Sequence, residues 1–168
     1  KSDRKYRNKL FENDGKGNFR DVTDKAGLAG SGYDNGVAAG DYDNDGCIDL
    51  FVGGVHANVL YRNNCDGTFT DVTQKAGLAT RDEKYGPLWS VGGAWLDANN
   101  DGLLDLFMVN YLAWDGSKEP ECEAAPGVLD YCHPKFYGGT PNQLFINNGD
   151  GTFRDASEES GVRAHVGK

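Results

Sequence analysis

An internal repeat constrains this chain more than any other feature. One unit, LFENDGKGNFRDVTDKAGLA, runs from Leu10 to Ala29; it recurs as LYRNNCDGTFTDVTQKAGLA from Leu60 to Ala79 and as LFINNGDGTFRDASEESGV from Leu144 to Val162. A second unit, VAAGDYDNDGCIDLFVGG, spans Val37 to Gly54 and returns as GGAWLDANNDGLLDLFMVN from Gly92 to Asn110. The two units alternate. The first two copies of the former are offset by 50 residues and the copies of the latter by 56. Periods of about 40–50 residues built from short β-type segments indicate propeller blades.

Within each unit the local pattern is strand and turn. Leu60 to Asn63 and Phe69 to Thr73 are short runs with β-branched and aromatic residues, joined by Asn64-Cys65-Asp66-Gly67, which reads as a hairpin. The apolar runs from Asp49 to Val52 and from Asp105 to Val109 read as buried strands. The small residues of Val37 to Gly40 and Val91 to Ala94 suit a crowded inner strand. The expected fold is all-β, with blades of four antiparallel strands. One blade has strands near 37–42, 48–54, 59–63 and 69–73, and a second near 91–97, 103–110, 143–147 and 152–156. Strands at 10–13 and 18–23 form the outer half of a preceding blade, giving about two and a half blades in all. The organisation is then an N-terminal arm (1–9), a half blade (10–29), a blade with an acidic loop (30–79), a blade with an acidic loop and an insertion at 111–142 (80–162), and a tail (163–168). Closing a propeller takes roughly four to eight blades. The expectation is therefore an incomplete propeller or open array, completed by more chain or another copy, with residues 157–168 leading towards a neighbour.

Composition agrees. The 24 Gly, 19 Asp and 14 Asn favour turns over helices and argue against a bundle or coiled coil. No apolar run approaches the ~18 residues of a membrane span. The chain opens on Lys1 without a secretory signal and reads as a mature protein or a fragment. A formal charge of −9 repels phosphate, which argues against nucleic acid as a partner.

The acid is concentrated in two nine-residue windows: Asp41-Tyr-Asp43-Asn-Asp45-Gly46-Cys47-Ile-Asp49 and Asp97-Ala-Asn99-Asn-Asp101-Gly102-Leu103-Leu-Asp105. Both fit D-x-[DN]-x-D-G-x-x-D. Oxygens at positions 1, 3, 5 and 9 face one point, Gly at position 6 permits the sharp turn, and position 7 offers a carbonyl, from Cys47 or Leu103. That donor set suits Ca²⁺, which takes 6–8 oxygens; Mg²⁺ prefers tight octahedra with several waters. An ordinary Asp-Gly turn does not explain the crowding. Two charges about 4 Å apart repel by ~1 kcal/mol in water and ~4 kcal/mol at an effective dielectric of 20. Two Ca²⁺ are expected, through Asp41, Asp43, Asp45, Asp49 and the Cys47 carbonyl, and through Asp97, Asn99, Asp101, Asp105 and the Leu103 carbonyl. Position 12 is Val52 or Met108 rather than the Glu of an EF-hand, so the expected role is structural.

These motifs resemble FG-GAP/VCBS repeats, the calcium-binding blades of integrin-α-like propellers. NNGDGTF at 147–153, with Val72-Thr73-Gln74-Lys75-Ala76-Gly77-Leu78, resembles more narrowly the ASPIC/UnbV and cartilage-acidic-protein-like branch. Cys122, Tyr131-Cys132 and Pro134 in the insertion fit that branch too. The resemblance runs from about Leu10 to Val162 and implies a seven-bladed extracellular propeller with one Ca²⁺ per motif-bearing blade and no catalytic residues. The 168 residues are expected to cover only part of that ring, without the branch's C-terminal domain.

Four cysteines in a Gly/Asp-rich chain without zinc spacing suggest disulfides and an oxidising compartment. Cys122 and Cys132 are expected to pair within the proline-rich insertion. Cys47 and Cys65 are expected to pair because an antiparallel register through a turn at 54–57 sets them opposite each other; the other blade has Leu103 and Gly149 there. His56, His133 and His165 share no local motif and read as surface residues. Trp89, Trp95 and Trp114 read as core, with a sugar-binding face as the alternative.

The favoured function is a non-catalytic, calcium-stabilised, secreted or cell-surface propeller segment for adhesion or protein interaction, its partner another protein or further copies of itself, with carbohydrate as a further candidate. The alternatives are a structural subunit that self-assembles through open propeller edges, and a non-catalytic part of a larger secreted enzyme.

Overall fold

A computed structural model describes residues 7–30, 32–79 and 81–167. Of the expected N-terminal arm, residues 1–6, Tyr6 included, lie outside the described residues, as does Lys168 of the tail.

The chain is all-β and has two four-stranded antiparallel sheets, preceded by one hairpin. The hairpin consists of β1 (Phe11–Asn13) and β2 (Phe19–Asp21), followed by a single helical turn, α1 (Thr23–Ala26). Blade one is β3 (Asp34–Gly40), β4 (Asp49–Gly54), β5 (Val59–Asn63) and β6 (Phe69–Asp71), hydrogen-bonded in that order. Blade two opens with β7 (Ser90–Leu96) and β8 (Asp105–Asn110). The insertion follows, with β9 (Leu112–Ala113), β10 (Cys122–Ala125), β11 (Val128–Asp130), a 3₁₀ turn at Pro134–Phe136 and β12 (Gly138–Pro141). β13 (Gln143–Asn147) and β14 (Phe153–Asp155) then complete blade two. The expected strands are present, most of them trimmed by one to three residues; the first inner strand starts earlier, at Asp34.

The three copies of the hairpin unit close by the same clasp. Thr23, Thr73 and Ser157 each accept, through the side-chain hydroxyl, from the backbone N–H of the leucine opening the unit. Those leucines are Leu10, Leu60 and Leu144, at 2.8, 2.9 and 3.0 Å. The hydroxyls in turn donate to Asp21, Asp71 and Asp155 two residues back. This is why Asp-x-[Ser/Thr] recurs in the sequence.

The main core lies between the blades. Phe51, Leu60, Leu106, Met108 and Phe145 are fully buried there, with Tyr42, Ala76, Leu78 and Phe153 packed around them. The blades approach so closely that a Cβ built on Gly36 would lie 2.2 Å from the Val91 carbonyl oxygen, and one on Gly40 2.6 Å from the Trp95 ring. Gly36, Gly40 and Gly93, which lies against Phe51, are required by this contact, whereas a Cβ on Gly92 would meet open space. A second cluster joins α1 to blade one, with Ala26, Leu28 and Tyr61 buried against Leu50, Val52, Val59 and Phe69. Beside it lies an open cavity of about 310 Å³ lined by Leu10, Leu28, Val37, Leu50, Val52 and Tyr61. Among the described residues the two blades do not close into a ring.

The C-terminal segment departs from expectation. Instead of leading away from the blade, β15 (Val166–Gly167) pairs with Pro141 and Thr140 of β12. Arg163 reinforces the return with an ion pair to the buried Asp82, 2.7 Å away. Burial opposes ionisation of Asp82, but the Tyr85 and Lys84 amides and Arg163 outweigh it and hold its carboxyl below the ordinary value.

Candidate cation loops

Both acidic windows connect the first two strands of a blade, β3 to β4 and β7 to β8. Their backbones are alike. Position 4 is left-handed in both, Asn44 at φ 56° and Asn100 at φ 60°, a conformation asparagine tolerates better than most residues. Position 6 is Gly46 at φ 88° and Gly102 at φ 86°.

The same backbone amides fold both loops around the same carboxylates. Asp41 accepts from the N–H groups of Asp45 and Gly46 at 3.0 and 2.9 Å; Asp97 accepts from Asp101 and Gly102 at 3.0 Å each. Asp45 accepts from Cys47 at 2.9 Å and Asp101 from Leu103 at 2.8 Å. At position 9, Asp49 and Asp105 are fully buried, and each uses both oxygens. Asp49 accepts from Tyr42 and Asn63, and Asp105 from Ala98 and Asn147. These two residues pin each loop to the third strand of its own blade, a role the spacing alone did not show.

In loop one, carboxylate oxygens of Asp41, Asp43 and Asp49 lie within 4.8 Å of one another. Asp43 Oδ1 is buried and has no hydrogen-bond partner. A buried acceptor without a donor is costly unless a donor or a cation meets it, so this donor set fits a hard cation. Burial, with like charges nearby, pushes the Asp49 carboxyl up to about 6 against its two amide donors. Tyr42, packed between Trp95 and Phe153, is pushed up to about 12 by burial and by Asp43 and Asp49. In loop two, Asn99 replaces one carboxylate, and its Nδ2 donates to Asp101 Oδ2 at 2.8 Å.

Arg62 on β5, which sequence reasoning missed, reaches loop one. Its Nε donates to Asp43 Oδ2 at 2.6 Å and its Nη2 to Asp45 Oδ2 at 2.8 Å. Asn147 bridges the loops: its Nδ2 donates to the Tyr42 carbonyl at 2.8 Å and to the Leu104 carbonyl at 3.1 Å.

Both expected disulfides are present. Cys47–Cys65 has its Cα atoms 5.7 Å apart and ties position 7 of loop one to the tip of the β5–β6 hairpin. In blade two the same contact is made by packing, with the Leu103 side chain against Gly149. Cys122–Cys132 closes the mouth of the β10–β11 hairpin, with Cα atoms 5.2 Å apart. His56 is exposed, with its ring stacked on Trp114 and Nε2 2.8 Å from the Trp114 carbonyl. His133 caps the 3₁₀ turn, and His165 is exposed. Trp95 belongs to the core edge, and Trp89 sits edge-on to Tyr111 and Trp114.

Repeated blades with an acidic loop at one end define a protein of the β-propeller class. The FG-GAP-like repeat family model matches the chain twice, over residues 2–52 and 41–108. Each match ends in a strand that follows an acidic loop, β4 in one case and β8 in the other. The chain belongs to the FG-GAP-like repeat family. No curated protein matches it. No helix among the described residues is long and apolar enough to cross a membrane.

Proposed function

We propose that this chain is a calcium-stabilised propeller segment of an extracellular protein of the ASPIC/UnbV, cartilage-acidic-protein-like branch, which presents its surface to a protein partner and has no catalytic role. The observation that carries the calcium reading is the buried, unpartnered Asp43 Oδ1 within three clustered carboxylates. Asp41, Asp43, Asp45, Asp49 and the Cys47 carbonyl would hold one ion; Asp97, Asn99, Asp101, Asp105 and the Leu103 carbonyl would hold the other. The ion supplies positive charge to a loop whose carboxylates repel one another. Two disulfides support an oxidising compartment. Extracellular calcium modules bind at about 10⁻⁴–10⁻³ M. At tenfold excess over Kd, each site adds about 1.4 kcal/mol. Thermal melts in chelator and in millimolar calcium test this: the midpoint rises with calcium, and an unchanged midpoint overturns it.

A second reading, self-assembly through the open end, is favoured by the cavity beside Leu10, Leu50 and Val52. Light scattering in millimolar calcium separates the two, since a folded, strictly monomeric species removes self-assembly.

A further inference from the structure

The two loops differ at two facing positions, and the differences are matched. Position 3 is Asp43 in loop one and Asn99 in loop two. The facing strand carries Arg62 in blade one. Its counterpart in blade two is Ile146, since each directly precedes the asparagine, Asn63 or Asn147, whose amide pins position 9. Where the loop has the additional carboxylate, the strand has the cation. Where the loop has the neutral amide, the strand has an aliphatic side chain.

The geometry explains the pairing. In both loops Oδ2 of the position-5 aspartate accepts a side-chain hydrogen bond at 2.8 Å, from Arg62 for Asp45 and from Asn99 for Asp101. Formal charge balances as well. Loop one has four carboxylates and one guanidinium, and loop two has three carboxylates, so both carry −3. The planar fork of Arg62 spans Asp43 and Asp45 at once, which a lysine point charge does not reproduce.

We infer that Arg62 is the charge-balancing and positioning residue of loop one. It replaces the Asn99 amide and offsets the additional carboxylate. By holding Oδ2 of Asp43 it also leaves the buried Oδ1 facing the cation. That last role rests on the calcium reading above; the first two do not.

The test compares the 168-residue wild type with R62I, D43N and the D43N/R62I pair, which copies loop two into loop one. Each is melted in excess chelator and in millimolar calcium. In chelator R62I melts lower by about 2–4 °C, and the double variant returns to within about 1 °C of wild type. Calcium raises the R62I midpoint less than the wild-type midpoint, because Asp43 Oδ1 is no longer held towards the ion, and raises the double variant as much as wild type. If R62I does not fold, folding of the double variant is the expected rescue. Additive effects of the two substitutions, or a double variant as impaired as R62I, overturn the inference. If calcium moves none of the four proteins while the chelator pattern holds, the calcium reading and the positioning of Oδ1 fall and the charge balance stands.

Discussion

Loop one and loop two follow one backbone path with different side chains around it. The parts they share are the left-handed residues at positions 4 and 6 and the amides gathered by positions 1, 5 and 9. The parts that differ are the side chains around that frame. Loop one is cross-linked through Cys47 and Cys65, held by Arg62, and plugged into the inter-blade core by Tyr42. Loop two has Leu103 packed on Gly149, the Asn99 amide, and an exposed Ala98 at the position of Tyr42. Aspartates that bind backbone amides thus fix the loop, and the remaining positions answer to surroundings. Loop one lies against a following blade; loop two is exposed over most of its length.

The largest test of the shared frame is removal of position 9. Asp49→Ala and Asp105→Ala each strand two backbone N–H groups, one buried and one partly buried. At about 1–3 kcal/mol per orphaned donor, each variant loses roughly 4 kcal/mol. Chemical denaturation in chelator measures both; equal losses sharpen the equivalence of the loops, and a large difference breaks it.

The next effect belongs to loop one alone. Cys47→Ser/Cys65→Ser removes a crosslink of sequence separation 18, worth about 3 kcal/mol in the chain-entropy model. Cys65 has φ 61°, where Gly15 and Gly149 stand in the other two hairpins at φ 77°. Cys47→Leu/Cys65→Gly, which transplants the blade-two solution, therefore loses less than the serine pair, by about 1 kcal/mol of relieved backbone strain. Melting midpoints under non-reducing conditions rank the three proteins.

The smallest effect is in pH. The Asp49 carboxyl, at about 6, lies above its ordinary value, so the folded state takes up this proton before the unfolded state does. Without a cation, the group favours folding increasingly as pH falls from about 6 towards 4, and its cost is fully present above 6. Melts in chelator between pH 7 and 5 should rise on acidification. With calcium the rise should shrink, because the ion holds Asp49 ionised.

The blades were legible in the sequence because each strand is bounded by a repeated turn, and a register follows from the turn. The β4–β5 register, Leu50 opposite Tyr61 and Phe51 opposite Leu60, places Cys47 near Cys65 as the spacing required. The loop aspartates were legible as a set but not in their division of labour, since spacing does not distinguish Asp49 gripping amides from Asp43 left with a free oxygen. Arg62 escaped because its target lies across the sheet, and a lone arginine on a strand reads as a solvated charge. The β15 pairing escaped because two residues carry no periodicity.

Asn147 sets an order of events. Its amide closes on the Tyr42 carbonyl from 105 residues further along the chain. Phe153, which packs on the Tyr42 ring, comes later still. At about 5–20 residues per second, a ribosome needs roughly 5–20 s after making Tyr42 before the residue that completes its hydrogen bonding exists. Loop one, synthesised before loop two, is thus completed only after it, and its maturation records that blade two has docked.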